Sequence, residues 1–282
     1  MARTQSEGNY RESGKCITSE TPVALTIAGS DSSGGAGLQA DLKAFTTIGV
    51  YGLTAATAVV AETPLEVRLI EPVSTEMLDA QLDILFSTYP IAAVKTGMLP
   101  TEEHIAVIAH HLANWKSSHR DSDLVVDPII QSSTGTPLIK PGALERLEQE
   151  LLPLADLITP NIPEAKTLLG GTKNDSDTLG SDLAARYHTA VLLKGGHATS
   201  GTTAVDLLVT GHGTTAYESD RLPGGHSLHG TGCTLASAIA AHLAQGNPLE
   251  DAVAYGKGYV TEAISQAHYW DSDLAALGIP SN

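Results

Sequence analysis

In the stretch LHGTGCTLASAIAAHLAQG, 228–246, Gly230, Thr231, Gly232 and Cys233 stand directly before a run of helical periodicity. Ala236, Ile239, Ala240 and Leu243 recur at that spacing and Gly246 is placed to end it. Glycines admit close backbone approach to a ligand, and the N–H groups at a helix start attract anions. The dipole at such a terminus also favours a thiolate, so Cys233 is a candidate base for an attacking hydroxyl. The alternative is a tight turn with a buried small thiol.

Four further stretches carry groups of similar promise. GSDSSGGAGLQADLK, 29–43, is rich in glycine but has neither the Lys-Ser/Thr of a Walker loop nor Rossmann spacing. Its glycines can bring backbone against a flat molecule, with Asp31 and Asp41 offering carboxylates; otherwise Asp31 is an ordinary cap. In ITPNIPEAKTLLG, 158–170, Asn161 and Glu164 are spaced for a hydrated Mg²⁺ ion or for a capping box. In DLVVDPIIQSSTG, 123–135, Asp127 interrupts an apolar run, a cost that pairing or a cation would offset. In VLLKGGH, 191–197, Lys194 follows an apolar run and precedes two glycines, where it meets a phosphate or simply solvent. His197 and His229 each flank a glycine motif, whereas His110, His111 and His242 read as packing or surface residues.

Periodicity sets these groups on a succession of elements. Strands are expected at 21–30, 53–60, 67–70 (an edge), 91–96, 123–130, 157–159 and 189–194, and a hairpin at 204–210 and 213–222. Helices are expected at 38–48 with Leu38, Leu42 and Phe45 on one face, 75–86, 102–115 capped by Thr101, 141–151, 163–169, 177–187, 231–245 and 248–267. Strands alternating with helices predict an α/β fold, a mostly parallel sheet with helices on both faces. Ligands of such sheets sit beyond the carboxyl ends of the strands, where these motifs should converge.

Composition narrows the function. The 282 residues are 42% hydrophobic with a formal net charge of −16, which argues against nucleic acid or an anionic membrane as the main partner. Two cysteines, Cys16 and Cys233, make no disulfide framework, and a reducing cytoplasm is the expected address. Residues 1–20 are polar and read as a flexible leader to a single domain over 21–282. No apolar run is long enough for a membrane span.

The segments LTIAGSDSSGGAGLQADLKAF, KTGML, VVDPII, LITPNIPEA, LLKGGH and HGTGCTLASAIAAHLA, in this order over 23 to about 268, resemble the ribokinase-like superfamily. Within it they resemble the hydroxymethylpyrimidine/phosphomethylpyrimidine kinases of thiamin biosynthesis. The resemblance implies phosphoryl transfer from MgATP to the hydroxymethyl group of an aminopyrimidine, and then to its monophosphate. It implies that Gly230, Thr231 and Gly232 form an anion hole and that Cys233 takes the hydroxyl proton. It places Asp127 and Glu164 near Mg²⁺, and Asn161, Lys194 and Lys257 with the nucleotide. Gly29, Asp41 and Met98 fall on the pyrimidine side. By analogy with relatives, a homodimer is expected.

Two places depart from the family pattern. After the second strand the family has Gln then Asn, whereas this chain reads TAVVAETP, with Glu62 and Thr63 there. Glutamate only accepts while ionised, so Glu62 suits a protonated aminopyrimidine or a different heterocycle. The loop 131–136 also differs from the expected Ala/Ser-Gly-Asp pattern. A pyridoxal kinase is the near alternative, and a catalytically silent ligand-binding paralogue is the alternative of another class. A sugar kinase would usually carry Asp in place of Cys233.

Overall fold

The computed structural model describes residues 21–132, 135–140, 142–171, 178–195, 202–222, 228–271 and 274–280. The leader with Cys16, the loop residues Ser133 and Thr134, the first positions of the helices expected at 141 and 177, and His197 lie outside them.

The apolar run β1 (Val23–Asp31) is buried at every position except Ser30. It leads through the glycine loop to α1 (Gly37–Ile48) and then β2 (Tyr51–Thr63), β3 (Glu66–Pro72), α2 (Thr75–Thr88) and β4 (Ile91–Thr96). Next come α3 (Glu102–Ser118), β5 (Asp123–Val126) and the short α4 (Ala143–Arg146). A π turn at Leu147–Leu151 extends α4 just ahead of Pro153, which has no N–H to continue the ladder. β6 (Leu157–Ile158), α5 (Ile162–Leu168), α6 (Leu179–Tyr187) and β7 (Ala190–Lys194) follow. A hairpin of β8 (Thr203–Thr210) and β9 (Gly213–Asp220), then α7 (Thr231–Ala244) and α8 (Leu249–Ser265), complete the main body. A small antiparallel pair, β10 (His268–Tyr269) and β11 (Ala275–Ala276), lies near the end.

The strands form one nine-stranded sheet in the order β3-β2-β1-β4-β5-β6-β7-β8-β9. From β2 to β7 neighbours run parallel, while β3, β8 and β9 pair antiparallel at the two edges. Strand periodicity of two divides the core. Leu124 and Val126 of β5 join Leu78 and Leu82 of α2 and Ile105, Ile108 and Leu112 of α3 on one face. Val125, Ala24 and Ala93 point the other way, to Phe45 of α1, Ala236, Ile239 and Ala240 of α7 and Val253 of α8. Small side chains on both partners let α7 lie close against the sheet, and a helix apolar on nearly every side is one that is buried.

Two boundaries that bear on the site differ from expectation: the strand expected at 53–60 runs from Tyr51 to Thr63 and so carries Glu62 within it rather than after it. The strand expected at 123–130 stops at Val126, because Pro128 cannot donate to a ladder; only the Asp127 N–H adds a last bond, to Thr96 O at 3.0 Å. Asp127 therefore sits at a strand end rather than within the run. None of the described helices is long and apolar enough to cross a membrane.

Candidate active site

At the carboxyl ends of β1, β4, β5, β6 and β7 opens a pocket of about 370 Å³. Of the candidate residues, Gly29, Glu62, Met98, Asp127, Asn161, Glu164, Lys194, Gly230, Thr231, Gly232, Cys233 and Lys257 all line it. Asp31 and Asp41 do not, and the assignment of these carboxylates to the substrate ring is corrected.

The Asp41 carboxylate is fully buried. Its Oδ2 accepts from Thr26 Oγ1 at 2.5 Å and Lys95 Nζ at 2.8 Å; its Oδ1 accepts from Lys95 Nζ at 3.0 Å and Ser237 Oγ at 2.5 Å. These partners use its acceptor capacity. Its role is to hold a lysine beneath the site: Lys95, also fully buried, lines the pocket. Burial pushes the Lys95 ammonium down, but the charges of Asp41, Cys233 and Asp127 outweigh it and keep the proton on.

The GTGC turn is built for close contact. Gly230 has φ +86°, and a Cβ there would fall 1.8 Å from the carbonyl oxygen of Gly35, so the two glycine loops interlock. No side chain caps α7, and its first turn opens on the pocket. Gly232 is different: its Cβ would stand 3.2 Å from Lys194 Nζ and 3.8 Å from Asp127 Oδ2, a crowding of side chains rather than of backbone. Gly232→Ala is expected to fold with an unchanged thermal midpoint and to lose about tenfold in turnover through displacement of Lys194. Steady-state rates beside a melting curve check this.

Cys233 sits among Ala36 and Ala40. Burial pushes its thiol up to about 11; Lys95 and the Gly37 N–H oppose this, while Asp41 and Asp127 add to it. The expected lowering by the helix dipole is thus outweighed, because burial penalises the charged thiolate. A base of this kind acts only as proton transfer and charge neutralisation proceed together.

Lys194 Nζ donates to Asp127 Oδ1 at 2.8 Å, and Thr159 Oγ1 donates to the same oxygen at 2.9 Å. Burial would strip the Lys194 proton, but Asp127 and Glu164 outweigh it and hold it well above the usual lysine range. Burial pushes Glu164 up to about 7; Asp127 adds to this, while Lys194 and the Asn161 and Ile130 N–H groups oppose it. The capping box is present: Glu164 N donates to Asn161 Oδ1 at 2.8 Å and Asn161 N to Glu164 Oε2 at 2.7 Å. Both residues nonetheless line the pocket, so cap and ligand-facing roles coexist.

On the opposite wall, a Cβ at Gly29 would lie 3.2 Å from Met98 Sδ, and Thr57 Oγ1 fixes the Met98 carbonyl at 2.7 Å. Asp31 organises the glycine loop, accepting from the N–H groups of Ser33, Gly35 and Ala36 and from His229 Nε2 at 3.1 Å. Burial pushes Asp31 up, but these bonds win and hold it at about 2.

Two pocket residues escaped the sequence reading. Besides Lys95, Asp206 of β8 accepts from Lys257 Nζ at 2.6 Å and from Gly195 N at 2.8 Å, tying α8 to the loop after Lys194. The available signal was the one that exposed Asp127, a carboxylate within an apolar strand.

A mostly parallel sheet with a lysine, carboxylates and an uncapped glycine turn at its carboxyl edge defines a ribokinase-like kinase. A family model for phosphomethylpyrimidine kinase matches residues 31–274. The hydroxymethylpyrimidine/phosphomethylpyrimidine kinase of Rhizobium meliloti is 44% identical over 88% of this chain and 92% of its own. The thiamine biosynthesis bifunctional protein of Geobacter sulfurreducens is 45% identical over 86% of this chain, which spans 49% of that protein's length. The ADP complex of Bacillus subtilis pyridoxal kinase superposes with a TM-score of 0.81, 33% identity, and coverage of 92% of this chain and 97% of that one. The chain belongs to the phosphomethylpyrimidine kinase family.

Proposed function

We propose that the chain transfers the γ-phosphoryl group of ATP to the hydroxymethyl oxygen of 4-amino-5-hydroxymethyl-2-methylpyrimidine, and a second one to the resulting monophosphate. The observation that carries this reading is the convergence of the Gly230–Cys233 turn, the Lys194 ammonium and the Cys233 thiol on one pocket.

In this reading Gly29 and Met98 hold the flat ring, and Cys233 Sγ receives the hydroxyl proton as the oxygen–phosphorus bond forms. The N–H groups of Thr231, Gly232 and Cys233 and the Lys194 ammonium gather the charge of the migrating group, ADP being the leaving group. Lys194 and the Asn161 amide nitrogen meet the nucleotide phosphates, with Lys257 set behind them by Asp206. The buried carboxylates of Asp127 and Glu164 share one lysine between them, and their hard oxygens and excess negative charge suit Mg²⁺. Bound there, the ion would neutralise phosphate charge. The reading takes 21–282 as one kinase domain, a cytoplasmic homodimer, whose mass sedimentation would read.

The test is an ATP-consumption screen with the hydroxymethylpyrimidine, its monophosphate and pyridoxal as acceptors. Turnover is expected with the first two. Exclusive turnover of pyridoxal would favour the second reading, which the likeness to pyridoxal kinases supports. No turnover of any acceptor would sink both.

A further inference from the structure

Glu62 stands where the β2–β3 ladder slips: Ala61 pairs with Leu69 but Glu62 with Val67, leaving Arg68 as the extra residue. Bulges beside a site re-aim side chains. Ser32 Oγ pins the Glu62 backbone twice, donating to its carbonyl at 2.9 Å and accepting from its N–H at 3.0 Å. The side chain is thereby delivered to the pocket wall beside Asp31 and His229, with one polar atom of each of the three within 4.8 Å of the others.

Asp31 and His229 are committed to each other and to the glycine loop. Among the described residues no side chain or N–H donates to the Glu62 carboxylate, so both of its oxygens are open to a ligand in the pocket. The remaining charges nearby are spoken for: Glu66 and Arg68 on β3 pair with each other, and Lys95 across the pocket is held by Asp41. Burial and the Asp31 charge both raise the proton affinity of Glu62, with His229 opposing.

We propose that Glu62 selects the substrate ring by an amidine edge, a ring nitrogen beside an amino group, with one proton shared between its carboxyl group and that nitrogen. One carboxyl oxygen accepts from the amino N–H. The other shares the proton, as a carboxylic acid against a neutral ring or a carboxylate against a protonated one. An edge of phenolate and aldehyde oxygens has no N–H to give the carboxyl group and is disfavoured. An amide at position 62 would serve the same amidine edge with no added proton. This rests on the kinase reading above.

The consequence is proton-linked binding. Above the pH at which free Glu62 and the free ring have both lost their protons, each binding event must draw about one proton from solution, so affinity falls about tenfold per pH unit. Calorimetric titration of the hydroxymethylpyrimidine into the full chain, in two buffers of different ionisation enthalpy, reads that uptake directly without a variant. About one proton is expected for the wild type and about zero for Glu62→Gln, with the KM of the variant flat over the range where the wild-type KM climbs. The variant is also expected to narrow the preference for the pyrimidine over pyridoxal. Wild-type binding with no proton uptake, or equal uptake in both proteins, overturns the proposal. A wild type that turns over the pyrimidine without uptake sinks this proposal alone, whereas one that phosphorylates no acceptor at any pH sinks the kinase reading with it.

Discussion

Cys233→Ala is expected to lower kcat about 10²- to 10⁴-fold, the usual worth of a positioned general base, with KM little changed. Alanine preserves the small apolar contacts with Ala36 and Ala40, so the loss should not be one of folding. The pH profile gives the sharper signature. Burial holds the free thiol at about 11, so at neutral pH its deprotonated fraction is small and rises about tenfold per pH unit. Wild-type kcat should therefore climb with pH below that value, and the alanine variant should lose the climb. Single-turnover rates between pH 6 and 10 measure both, and equal rates with equal slopes would show that another group takes the proton.

Lys194→Met is expected to abolish turnover and to cost about 3–5 kcal/mol of stability at neutral pH, because it leaves Asp127 buried and uncompensated. The sign of its pH dependence follows from Glu164. With Lys194 present, Glu164 titrates at about 7, above its ordinary value, so its contribution to stability is full at low pH and lost as pH rises through about 7. Without the ammonium that opposes this shift, the loss deepens and extends upward. Urea midpoints of the variant should approach those of the wild type on acidification and diverge as pH rises. Parallel curves would mean that the lysine is not what neutralises this pocket.

The layout was legible in the sequence because short apolar strands alternate with amphipathic helices, and motifs that follow strands in a parallel sheet must meet at one edge. What escaped were contacts whose partners lie far along the chain. Asp41 was expected in the helix but facing a ligand, whereas α1 turns Leu38, Asp41 and Phe45 inward together and leaves Leu42 half-buried. A charge on the core face of a helix demands a buried counter-charge, and Lys95 lies 54 residues away, beyond any local periodicity. For Cys233 the helix terminus was visible but its burial was not, and burial decided the direction of the shift. Asp127 marked the site because a lone carboxylate interrupting an apolar stretch of sequence is costly to bury; Asp206 carried the same mark inside the hairpin.

The bonds from His229 to Asp31 and from Ser237 to Asp41 each join residues nearly two hundred positions apart, at separations of 198 and 196. During synthesis the opening strand and helix leave the ribosome long before the segment that completes their polar partners. Until then the aspartate–lysine knot and the glycine loop lack partners, so the site is complete only after residues 229–237 have been made. A nascent chain stopped before α7 is expected to bind no heterocycle, because the partners of Asp31 and Asp41 and the anion-binding turn have not yet been made.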